Sequence, residues 1–135
     1  MGVRKVALPV PTISFIDDDA SVRGAADNLL SSHGYRVHTF ASAEDFLQSA
    51  RLDNSSCVVT DVQMPGMSGL DLLKSVRSQG DDTPFILITA FPDESVRARA
   101  AKAGADVLLE KPFSCSLLID CIEAALNGSR QRTGQ

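Results

Sequence analysis

The chain predicts an α/β fold: a doubly wound, five-stranded parallel sheet with five helices, in three layers (α/β/α). Three observations carry that expectation. Short apolar, branched runs alternate with segments of helical period, the pattern of successive βαβ units. The central runs are nearly continuously apolar, as strands covered on both faces must be. Glycines and capping residues punctuate the joints between them.

The first strand reads at Thr12–Ile16 (TISFI), and a helix over Ala20–Ser32 follows, with Gly34 where it should stop. Tyr35–Thr39 (YRVHT) is the second strand and Ala43–Ala50 the second helix. Ser56–Thr60 (SCVVT) is the third strand; its helix spans Ser68–Gln79, opened by Ser68 and closed by Gly80. Pro84–Thr89 (PFILIT) and the helix Asp93–Ala103 come next, with Gly104 as the stop. Asp106–Leu109 (DVLL) is the last strand and Ser114–Asn127 the last helix. After Asn127 the polar "GSRQRTGQ" reads as the start of a linker, so the expected division is a domain over residues 1–127 and a linker or tail over 128–135.

Size and composition narrow the function classes. At 135 residues the chain is one ordinary domain, and at 44% hydrophobic and 22% charged it is expected to fold rather than stay disordered. A formal charge of −4 gives no reason to expect this segment to bind nucleic acid directly. No apolar run approaches the ~18 residues of a membrane span. The opening "MGVRKVALPVP" is too short and proline-broken for a signal peptide, and it matches the myristoylation pattern only in part. Cys57, Cys115 and Cys121 lack metal-ligand spacing and cannot all pair, so a reducing cytoplasm is the expected setting, with the thiols serving as small apolar groups. His33 and His38, at a helix end and on a strand, have no ligand spacing either.

In a doubly wound sheet, ligands bind outside the carboxyl ends of the strands. Asp17, Asp18 and Asp19 end the first strand, Asp61 follows the third, Thr89 ends the fourth and Lys111 follows the fifth. All of these fall on one edge. Singly, each has a plainer role: an aspartate caps a helix, a strand-end threonine reflects β-propensity, a lysine before proline is a solvated loop residue. One cap accounts for one aspartate of three, and adjacent carboxylates repel. Clustered carboxylates make a hard oxygen site suited to Mg²⁺, or Mn²⁺. A divalent cation beside Asp61 permits attack on a phosphoryl group, with Lys111 as a second positive charge and Thr89 as a hydroxyl donor.

"FIDDD", "TDVQMPGMSGLDLL", "ILITA" and "GADVLLEKPF", in that order and spacing, resemble the receiver domain of a two-component response regulator over about residues 12 to 127. The "EKPF" ending and "MPGMSGLDLL" are most similar to the FixJ type, in which the receiver precedes a helix-turn-helix DNA-binding domain. The resemblance implies a flavodoxin-like receiver fold, Asp61 as phosphoacceptor, and a sensor histidine kinase as the phosphoryl donor. It implies Asp18 as a direct metal ligand, Asp17 acting chiefly through metal-bound water, and the Gln63 carbonyl completing the metal shell. Thr89 and Lys111 then contact the phosphoryl group, and the peptide before Pro112 is cis. Asp19 is the weakest ligand of the three and is expected as the helix N-cap. The implied protein is a switch that catalyses only its own phosphorylation and dephosphorylation, with an output domain outside this chain. A homodimer through the face of the fourth helix, fifth strand and fifth helix is the expected phosphorylated assembly.

Four features individualise the chain. The family's switch aromatic, three residues before the lysine, is Leu108, which cannot make the ring's rotation; signalling then relies on the Thr89–Asp93 loop and the helix after it. That helix, "DESVRARAAKAG", is alanine-rich with little large apolar surface, and so is expected to be weakly anchored. Gln63 and Phe91 flank the phosphoryl site, and Phe91 is expected to shield an acyl phosphate from water. On the last helix, Cys115, Leu118, Ile119, Ile122, Ala125 and Leu126 are expected to face the sheet, with Leu117, Cys121 and Ala124 turned away.

Two other readings use the same residues. A haloacid-dehalogenase-like phosphatase takes Asp17 as nucleophile and Asp19 as general acid, but leaves the Asp61 motif unexplained. A degenerate receiver used as a scaffold accommodates Leu108 but not the full set of Asp17, Asp18, Asp61, Thr89 and Lys111.

Overall fold

A computed structural model describes residues 10–133, with side chains described through residue 128. Most of the N-terminal segment weighed for targeting signals lies outside the described residues. Five parallel strands, β1 (Thr12–Ile16), β2 (Arg36–Phe40), β3 (Cys57–Asp61), β4 (Phe85–Thr89) and β5 (Val107–Glu110), form one sheet in the order β2-β1-β3-β4-β5. Helices α1 (Ala20–Ser32), α2 (Ala43–Gln48), α3 (Gly69–Ser78), α4 (Glu94–Ala103) and α5 (Cys115–Thr133) connect or follow them. The expected architecture is therefore present, with most boundaries moved by a residue or two.

Strand periodicity sorts the core onto two faces. Ile13, Phe15, Val59, Ile86, Ile88 and Leu109 point to one side and meet Leu30 of α1 and Leu118, Ile119 and Ile122 of α5. Ile16, Val58, Phe85 and Leu87 point to the other and meet Phe46 of α2 and Leu70, Leu72, Leu73 and Val76 of α3. Every residue of β3 and β4 is buried, which explains their unbroken apolar character up to Thr60, Asp61 and Thr89.

The joints follow local chemistry. The Asp19 carboxylate accepts from the N–H groups of Ser21 and Val22 and caps α1. Ser68 and Asp71 form a reciprocal capping box on α3, Asp93 caps α4 through the Val96 N–H at 2.8 Å, and Ser114 accepts from the Leu117 N–H. Gly104 ends α4 at φ 95°, a left-handed conformation that costs glycine nothing.

Three expectations need correction. The second helix stops at Gln48 rather than Ala50; Ala50 is left-handed at φ 59° and a 3₁₀ turn, Arg51–Asn54, follows. The last helix runs to Thr133 rather than stopping at Asn127, so residues 128–133 continue α5. Nothing between Asn127 and Thr133 breaks a helix as proline would, and polarity alone does not stop one. Cys115 is exposed at the start of α5, whereas Cys121 is half-buried against the core. The outward apolar residues of this helix are therefore Leu117 and Ala124, not Cys121.

α4 buries only Val96 and Ala100, against Gly69, Leu70, Leu72, Leu73 and Val76 on α3, so the expected weak anchoring is present. Leu73→Ala should lower the unfolding free energy by about 2–5 kcal/mol in urea titration. In the intact protein, α4 amides should exchange with deuterium well before those of α3.

Candidate functional site

The strand order reverses direction between β1 and β3, and the carboxyl ends of those neighbours frame the site. Ile16 pairs with Thr60, so Asp17 and Asp61, each one residue further on, stand side by side. Asp61 pairs with Ile88, and Thr89 with Glu110, which brings Lys111 across the same edge; the Lys111 N–H donates to the Thr89 carbonyl at 2.8 Å. Parallel register thus gathers residues separated by almost a hundred positions in sequence.

Asp61 is buried and held at both oxygens. Oδ2 accepts from Lys111 Nζ at 2.9 Å, and Oδ1 accepts from the Gln63 backbone N–H at 3.2 Å. Asp17 is 1% exposed. Its Oδ1 accepts from the Asp19 N–H at 2.9 Å, while its Oδ2 lies 3.5 Å from Lys111 Nζ, an ion-pair separation that leaves the oxygen without a hydrogen bond. Asp18 is exposed beside them. One carboxylate oxygen each from Asp17, Asp18 and Asp61 lies within 4.8 Å of the others.

The electrostatics of this trio are unbalanced. Burial raises the Asp17 pKa above the ordinary carboxylate value, outweighing the Asp19 N–H and the Lys111 charge that lower it. Burial also works against the Lys111 ammonium, but its hydrogen bond to Asp61 and the charges of Asp61 and Asp17 prevail and raise its pKa. One ammonium faces three carboxylates. A buried carboxylate oxygen lacking a hydrogen-bond partner, among hard oxygen donors, fits a small divalent cation such as Mg²⁺.

The remaining expected residues divide. Asp19 is turned to α1, its Oδ1 also accepting from the Ser21 hydroxyl at 2.7 Å; this engagement removes it from the general-acid role of the phosphatase reading. Thr89 is buried, and its hydroxyl donates to the Gln63 side-chain oxygen at 3.0 Å. Phe91 is 68% exposed, and its backbone N–H donates to Thr89 Oγ1 at 3.0 Å. Leu108 is half-buried against the α3-side core and lines an open pocket of ≈ 300 Å³ between α4 and β5. The Lys111–Pro112 peptide is cis, as expected.

Three supporting residues escaped sequence reasoning. Arg23 Nη1 donates to the Asp17 carbonyl at 2.7 Å and pins the acidic turn from α1. Glu44 of α2 accepts from the Met67 N–H at 2.9 Å and braces the loop after β3. Gly69 begins α3 so close to the strand end that a Cβ would lie 2.3 Å from the Asp61 carbonyl oxygen. The glycine directly after a helix cap was a readable signal for such a close approach; Arg23 and Glu44, ordinary surface-helix charges by pattern, carried none.

The response regulator receiver domain model matches residues 13–123. The chain belongs to that family. This receiver domain is 39% identical over 120 residues to the transcriptional regulatory protein TdiR of Thauera aromatica, covering 89% of this chain and 53% of that protein. It is 40% identical over 114 residues to the transcriptional regulatory protein FixJ of Bradyrhizobium diazoefficiens, covering 84% and 56%. The receiver domain therefore spans about half the length of these relatives. The solved structure of the response regulator StyR superposes with a TM-score of 0.84 at 41% identity, over 93% of this chain and 64% of that one. The receiver is a signalling domain of two-component response regulators, similar to FixJ. None of the described helices is long and apolar enough to cross a membrane.

Because the clash at Gly69 is with backbone, an added methyl forces either α3 or the end of β3 to move. Gly69→Ala should cost about 1–3 kcal/mol in denaturant titration. It should also reduce phosphoryl uptake from acetyl phosphate, read by intact mass.

Proposed function

We propose that this receiver takes a phosphoryl group from a phosphohistidine of a sensor kinase onto Asp61 and later loses it to water. The observation that carries the reading is the convergence of Lys111 at 2.9 Å on a buried Asp61 that also lies beside Asp17 and Asp18. In the transfer, an Asp61 carboxylate oxygen forms the new P–O bond as the P–N bond of the phosphohistidine breaks, and the histidine regains its proton. In hydrolysis, water displaces the carboxylate and inorganic phosphate leaves.

Asp17, Asp18, Asp61 and the Gln63 carbonyl are the residues to hold Mg²⁺, or Mn²⁺. The bound ion supplies positive charge that lowers repulsion between the carboxylate and the incoming phosphoryl oxygens. The chain's own residues do the rest. The Gln63 N–H and the Lys111 ammonium orient the Asp61 carboxylate before the reaction. Lys111 then neutralises a phosphoryl oxygen, and the Thr89 hydroxyl donates to another. Catalysis is confined to the domain's own phosphorylation and dephosphorylation.

The relatives named above are transcriptional regulators, and the match spans 53% and 56% of their lengths. We assign residues 1–127 as the receiver unit, with residues 128–135 leading toward an output domain, a DNA-binding one, in a cytoplasmic protein. Phosphorylation then favours a homodimer through the α4–β5–α5 face.

Acetyl phosphate with Mg²⁺ should produce a one-phosphoryl adduct by intact mass on the wild type and none on Asp61→Asn. Asp17→Asn should weaken Mg²⁺ binding by at least tenfold, measured without any phosphodonor. No adduct on a protein that demonstrably binds Mg²⁺ overturns the phosphoacceptor assignment for small donors and leaves transfer from a kinase phosphohistidine as the deciding assay. Phe91 lies two residues after Thr89, and Phe91→Gly should shorten the acyl phosphate lifetime; an unchanged lifetime removes its shielding role.

A further inference from the structure

Thr89 is fully buried at the end of β4, and its hydroxyl has a single proton to donate. That proton goes to the Gln63 side-chain oxygen, 3.0 Å away, while the same hydroxyl accepts from the Phe91 N–H. Gln63 also touches the other half of the site, since its backbone N–H donates to Asp61 Oδ1. One residue is therefore bonded to Asp61 by its main chain and to Thr89 by its side chain. Donation from Thr89 to a phosphoryl oxygen and donation to Gln63 exclude one another, because both use the same proton.

We propose that Gln63 is a latch: its amide oxygen holds Thr89 in the unphosphorylated arrangement and competes with the phosphoryl group for the Thr89 hydroxyl. It is a positioning residue, acting through Thr89, and the inference rests on the reading of Asp61 as phosphoacceptor. The exchange is chemically sensible in both directions. Gln63 is exposed, so a released amide is rehydrated at little cost, whereas a buried Thr89 hydroxyl needs an acceptor in either state. A charged phosphoryl oxygen is the stronger acceptor and wins when present.

The release has a route outward that needs no aromatic ring at Leu108. The Phe91 N–H follows the Thr89 oxygen, the Phe91 carbonyl accepts from the Asp93 N–H at 2.9 Å, and Asp93 caps α4. Displacement of Thr89 thus pulls on the first turn of α4, a helix that buries only Val96 and Ala100.

The test is the affinity of the phosphoryl analogue trifluoroberyllate, by calorimetry with saturating Mg²⁺, for the wild type and Gln63→Met. Methionine keeps the length and removes the strong acceptor, at an exposed position where folding is not at risk. A latch predicts about fivefold tighter binding in Gln63→Met. The gain should persist when Thr89→Ser preserves the hydroxyl and vanish when Thr89→Val removes it, a dependence that a general structural effect of Gln63 does not produce. Without metal or analogue, Thr89→Val should also shift the Gln63 side-chain amide resonances. Normal wild-type binding with equal or weaker binding in Gln63→Met overturns the latch, as does a gain that survives in Thr89→Val. Failure of the phosphoacceptor reading looks different: wild type and Asp61→Asn then bind the analogue alike, or neither binds it.

Discussion

The structure turns on two carboxylates that hydration alone would keep apart. Asp17 and Asp61 stand at adjacent strand ends, both buried, with one lysine between them. Holding them there costs desolvation and mutual repulsion. The rigid sheet beneath makes the arrangement possible, since β1 and β3 are anchored by apolar side chains on both faces and cannot splay to relieve it. Lys111 offsets part of the charge, and its two contacts bind the far edge strand's loop to the centre of the sheet.

Around this pair the chain divides its stability unevenly. α1, α3 and α5 seat large apolar residues in the two cores, and Gly69 lets α3 start almost in contact with the Asp61 carbonyl. α4 rests on Val96 and Ala100. The loop leading into it is tied to the site by hydrogen bonds through Thr89, Phe91 and Asp93 rather than by packing. A firm reaction centre beside a lightly held helix is a suitable construction for a switch, because little free energy is needed to move the helix and much to disturb the acids.

Leucine at position 108 sharpens the point. Its side chain fills part of the space between α4 and β5 and leaves an open pocket there. A hydrogen-bonded path through Gln63 and Thr89 supplies coupling by donor competition, which depends on a proton's location and not on the rotation of a large ring.

Much of the fold was legible because it follows from local rules. Near-continuous burial in β1, unbroken burial in β3 and β4, and the caps at Asp19, Ser68, Asp93 and Gly104 depend on each residue's nearest neighbours in sequence. The gathering of Asp17, Asp61, Thr89 and Lys111 on one edge also followed, since strand direction and the alternation of elements determine which ends coincide. The end of α5 and the exposure of Cys115 were misjudged because polarity does not terminate a helix and a face at its first residue has no sheet to meet. By itself the sequence determined the layers, the caps and the identity of the acidic edge, all consequences of periodicity and chain direction. Only the tertiary structure decided where the Thr89 proton goes, which carboxylate oxygen lacks a hydrogen bond, and that Arg23 and Glu44 brace the loops. Those are matters of ångströms between side chains from different elements, and no periodicity encodes them.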